Sequence, residues 1–121
     1  MTKGEALQSF FSQFLTAYAS SAVPDDAMFP YLTYDLIVDS WDSPVSLTVN
    51  LWFYTASEAV PNSKVQEISE VIGRSGTIIP CDGGGIWLTR GSPWCQNLTE
   101  AADRNIKRRY MNVTAEYITN D

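Results

Sequence analysis

Any chemistry in this chain must be done without histidine, because the sequence contains none. That removes Ser-His-Asp and Cys-His nucleophilic catalysis and every histidine-ligated metal centre. The groups left to attack a substrate or move a proton are carboxylates, lysines and the two thiols, Cys81 and Cys95. Each would need a strongly shifted pKa to work near neutrality. An enzyme would have to rest on Asp35 buried beside Tyr34 or Tyr54, or on one of the cysteines as a thiolate. No partner that would activate either is evident, so the sequence reads as a non-enzyme with no catalytic residue, no cofactor and no metal.

The remaining suggestive groups have plain explanations. Gly83-Gly84-Gly85 lacks the GxxxxGK[ST] pattern of a phosphate loop and lies between two apolar runs, so a hairpin turn is expected. Asp25-Asp26 follows Pro24 and lacks the spaced oxygen ligands of a calcium loop, so a solvated loop is expected. Two thiols without histidine make a poor zinc set, and a reduced pair is the simple reading beside a single bridge. Asn97-Leu98-Thr99 and Asn112-Val113-Thr114 match the glycosylation pattern, which matters only in a secreted chain.

Charge and tryptophan placement point instead to contact surfaces. Arg104, Lys107, Arg108 and Arg109 put four of the eight basic residues into six positions, whereas the first fifty residues hold six acids and one base, Lys3. Asp35, Asp39 and Asp42 form the acidic counterpart. Such a layout suits head-to-tail contact between copies, acidic edge to basic edge; the alternative is ordinary solvation. Of the four tryptophans, Trp41 sits in a loop and Trp52 on the polar side of an alternating strand, positions that mark interfaces. Trp41 and Trp94 are equally compatible with burial under a loop. The candidate interface residues are therefore Asp39, Trp41, Asp42, Trp52, Arg104, Lys107, Arg108 and Arg109.

The elements that must position these residues follow from periodicity. Leu7, Phe10, Phe11, Phe14, Leu15 and Tyr18 repeat at helical spacing and predict a helix over 5–20. Tyr31 to Asp39 and Val45 to Tyr54 alternate and predict an antiparallel hairpin around Ser40 to Pro44. Leu47, Val49, Leu51 and Phe53 face one way; Trp52 and Tyr54, with Tyr31 and Ile37, face the other. Asn62 or Ser63 can cap a second helix ending at Gly73, with Ala56 to Pro61 unassigned. Thr77 to Cys81, Ile86 to Thr89 and Arg109 to Ile118 read as strands, and Gly91 to Leu98 as irregular. The fold class is α+β in the order α-β-β-α-β-β-β: a mainly antiparallel sheet of about five strands with two helices on one face.

At 121 residues the chain is one domain, 1–121, large enough for a core without staples. A net charge of −6 argues against general or sequence-specific nucleic-acid binding. Gln8, Ser9, Ser12 and Gln13 interrupt the first apolar stretch, so it reads as an amphipathic helix and not a signal peptide, and no stretch suits a membrane span.

The segment Phe29-Pro30-Tyr31-Leu32-Thr33-Tyr34, then an acidic loop, then Val45-Ser46-Leu47-Thr48-Val49-Asn50-Leu51-Trp52, resembles the small tail proteins of long-tailed bacteriophages and prophages. The likeness is to the tail terminator family, also called tail completion or minor tail proteins. The following helix and glycine-containing strand pair fit the same order. The resemblance implies an α+β structural protein that assembles as a ring, typically a hexamer. It implies that the ring caps the last layer of tail tube protein at the head-proximal end of the virion tail, ends tube growth, and meets the head–tail connector. It implies manufacture in the host cytoplasm. The Ser40 to Pro44 loop would touch the tube or a neighbour, and Arg104 to Arg109 would line the lumen or meet the next subunit. Other head–tail neck or joining proteins share this size and element order, and a non-viral α+β binding adaptor is the further alternative.

Overall fold

The computed structural model describes residues 1–35 and 44–119. Helix α1 (Lys3–Ser12) opens with a capping box, in which the Thr2 hydroxyl accepts from the Glu5 amide while the Glu5 carboxylate accepts from the Thr2 amide. The chain then forms β1 (Thr16–Ala19), a single 3-10 turn (Ser20–Ala22), β2 (Tyr31–Tyr34) and β3 (Val45–Tyr54). Helix α2 (Ala59–Ile72) follows, then β4 (Thr77–Cys81), β5 (Gly84–Thr99) and β6 (Ile106–Thr119).

The expectation of an α+β chain holds, with a richer sheet than foreseen. Its six strands run in the order β1-β2-β3-β6-β5-β4. The pairing of β1 with β2 is parallel and every other pairing is antiparallel. The additional strand comes from the back of the expected first helix. Ala17 is buried and Thr16–Ala19 pairs with Tyr31–Tyr34, so sheet pairing overrides the helical spacing of Phe14, Leu15 and Tyr18. The Gln8 amide secures the changeover by donating to the Ala17 carbonyl at 2.9 Å.

The hairpin of β2 and β3 has the expected facing. Leu47, Val49, Leu51 and Phe53 are buried, and the residues between them are not. They meet Leu7, Phe10 and Phe11 of α1 and Ile68 and Ile72 of α2 in one core. Helix α1 touches both edge strands, β1 and β4, so the sheet curls around it. The other face of the sheet receives neither helix.

Helix α2 starts earlier than Asn62 or Ser63. Pro61 is in its first turn, where the missing amide would have had no helical acceptor in any case. Gly73 does end the helix, at φ 77°. Strand β5 runs on through Gly91 to Leu98, which the composition marks as irregular. Its register against β6 shifts between Arg90 and Cys95. Pro93 falls in that bulge, where it displaces no ladder donor, and its carbonyl accepts from the Asn112 amide at 2.9 Å. Asp82-Gly83 forms the turn between β4 and β5.

Candidate functional site

The four clustered bases separate in the fold. Alternation along β6 turns Lys107 and Arg109 into the molecule, with Arg109 only 1% exposed, and turns Arg108 to the opposite face. Arg104 lies in the exposed turn before β6. Its carbonyl accepts from the Lys107 ammonium. The expectation that Lys107 and Arg109 offer charge to a lumen or neighbour is therefore corrected: both serve the interior. Arg109 donates to Glu58 Oε2 at 2.6 Å and to Asn62 Oδ1 at 3.0 and 3.2 Å. Lys107 lies 3.7 Å from the same glutamate. Glu58 holds the N-cap position of α2, where a negative charge also suits the helix dipole. Arg109's hydrogen bond is the largest influence on its carboxyl and holds it below the usual range; desolvation opposes this, and the charges of Arg109 and Lys107 add to the lowering.

Arg108 leads to a different assembly. Its guanidinium lies over Trp52, 5.1 Å from the ring centroid, and among the described residues it makes no ion pair. Trp52 is its direct partner across β3 and β6, and Tyr31 is the partner of Trp52 across β2 and β3. Tyr31 stacks on Trp52 with centroids 6.1 Å apart and planes 15° from parallel. Tyr18 meets the far side of Tyr31 edge-on at 6.1 Å, and Phe29 bridges Tyr31 and Tyr54 at 5.5 and 5.8 Å. The Trp52 indole donates to the Thr33 hydroxyl at 3.2 Å, which fixes its tilt.

The outcome is a row of aromatic side chains running across β1, β2, β3 and β6 on the face that carries no helix. Tyr54 is 56% exposed and Phe29 39%, and Met28 beside them is 79% exposed. The row ends on a cation. Asn50 Oδ1 and Arg108 Nε are buried beneath it without a hydrogen-bond partner among the described residues. Exposed apolar clustering of this kind marks contact surfaces.

Trp52 and Arg108 are thus brought together from the expected set. Asp39, Trp41 and Asp42, with Ile37 and most of the Ser40 to Pro44 loop, lie outside the described residues. Trp94 packs against the core. Asp35 is exposed and accepts from the Ser20 hydroxyl. Cys81 and Cys95 are both free thiols. Among the described residues, no group of three or more His, Cys, Asp or Glu side chains converges as for a metal, and no helix is long and apolar enough to cross a membrane. Tyr18 and Phe29 were missed as site residues because the row forms only through the parallel β1 pairing and the approach to β2, which local periodicity does not encode.

A second surface lies along the exposed side of α2. Ala59, Val60, Ser63, Lys64, Gln66, Glu67 and Glu70, all from α2, line a shallow groove of about 700 Å³. Lys64 is paired with Glu67 at 2.6 Å, whereas among the described residues Glu70 accepts only from the Gln66 amide. Comparison with family models, with curated proteins and with solved structures gives no match.

Proposed function

We propose that this chain is a structural subunit of a bacteriophage tail, a ring former of the tail-terminator kind, acting at the head-proximal end of the tail tube. The observation that carries the self-association half of this reading is the uncovered sheet face, with its aromatic row ending on Arg108. A surface of that composition is suited to burial against protein. The phage half rests on the resemblance of the Phe29 to Tyr34 strand and of the Val45 to Trp52 strand. In this reading the chain has no catalytic role. Its partners are further copies of itself, the tail tube protein and a head–tail connector or neck protein, and its location is the virion.

The test is the solution mass of the purified protein across concentration and salt, alone and with tail tubes. A closed ring, or a monomer that closes on added tubes, is the expected result. A fixed monomer indifferent to tubes would replace this reading with a binding adaptor. A ring that binds connectors but not tubes would make it a neck protein.

A further inference from the structure

Building on the ring reading, we infer that the contact between copies seats the aromatic row of one subunit in the α2 groove of the next. The occupant of the sheet face is thus a second copy of this chain. Three features argue for it. The first is charge: among the described residues Arg108, at the end of the row, has no carboxylate partner and Glu70 in the groove is met only by a neutral amide, while the groove's own cation, Lys64, is already paired with Glu67. The second is chemistry of fit. The rings of Tyr54 and Phe29 are exposed, and the groove floor offers Ala59 and Val60, the latter 53% exposed, as apolar surface to receive them. The third is placement. Helix α2 covers the inner face of the sheet and turns its groove away from it, while the row occupies the outer face, so the two surfaces look in opposite directions. A subunit therefore cannot satisfy one with the other. Pairing row to groove is a heterologous contact, the type that closes into rings.

The experiment is charge reversal followed by sedimentation velocity over a concentration series, with circular dichroism to check folding. Both positions lie outside the core, so Arg108→Glu and Glu70→Arg are expected to remain folded. Each alone should weaken association at least tenfold. Mixing the two variants, or combining both changes in one chain, should restore it, because every contact then again joins a cation to an anion. If the wild type assembles and the single variants assemble equally well, the row-to-groove contact is wrong and the ring reading survives. If the wild type stays monomeric at every concentration and with tubes, both fall. Association lost in the single variants but not rescued in the mixture would also overturn the pairing, since the two charges would then not meet.

Discussion

Arg108 and Arg109 are adjacent in sequence and end on opposite faces of the sheet, one over Trp52 and the other 2.6 Å from Glu58. Reversing each should therefore have different consequences. Arg109→Glu places a carboxylate in a buried site facing Glu58 and is expected to cost on the order of 3–5 kcal/mol. Arg108→Glu forfeits a cation–π contact of about 0.5–1 kcal/mol. Urea denaturation midpoints check this, and equal losses would contradict the separation.

The Arg109–Glu58 pair also gives the fold an acid sensitivity. Glu58 has a folded-state pKa below its ordinary value of 4.5, chiefly because Arg109 donates to it. The stability it contributes is fully present above that ordinary value and is lost as the pH falls through the lower folded-state value. Glu58→Gln should flatten this part of the stability curve and lower stability near neutrality. An unaltered acid limb would show that other carboxylates govern it.

At the alkaline end the order of tyrosine ionisation should report the core. Burial raises the pKa of both Tyr31 and Tyr34 above the ordinary 10.0, with the nearby Tyr18 adding to the shift at Tyr31. Their neutral forms are favoured by folding, so this contribution is complete below pH 10 and disappears as pH rises through the folded values. Tyr34 also donates to Gln8 Oε1 at 2.5 Å. Tyr34→Phe should cost about 1 kcal/mol and remove one late-ionising group from an ultraviolet titration.

The glycines after the β4–β5 turn differ in what they protect. A Cβ at Gly84 would lie 1.9 Å from the Ile118 carbonyl oxygen, which is backbone of β6. One at Gly85 would meet Ile78 Cγ2 at 2.7 Å and the Ile79 carbonyl oxygen at 3.2 Å, a milder overlap than at Gly84 and chiefly with a side chain that is largely exposed. Gly84→Ala should lose about 1–3 kcal/mol, with faster amide exchange at the end of β6. Gly85→Ala should lose less, and the reverse ranking in thermal melts would refute the argument.

These contrasts mark how far the sequence could be read. Strict alternation in Val45 to Tyr54 placed both faces of β3 correctly, and Gly73 marked the end of α2, because each signal is local. The strand Thr16–Ala19 was hidden in a helical pattern because its stability comes from Tyr31–Tyr34, distant in sequence. The four bases looked like one patch until the two-residue period of a strand divided them. That period was legible; what was not is that Glu58 and Asn62, some fifty positions earlier, wait inside to receive Arg109. That Tyr31 and Trp52 share a face was legible in the alternation of the two strands, whereas their direct pairing and that of Trp52 with Arg108 required the registers of β2, β3 and β6.

The position of β6 has a consequence for biosynthesis. Of the described strands, β6 leaves the ribosome last, and it fills the fourth place in the sheet, between β3 and β5. Until it arrives, the nascent chain is two half-sheets with open inner edges, and the core has no centre. Native closure of this sheet must therefore wait until β6 has been translated, as expected of a topology dominated by distant pairings. During that interval, the inner edges of β3 and β5 are open to mispairing with a neighbouring nascent copy.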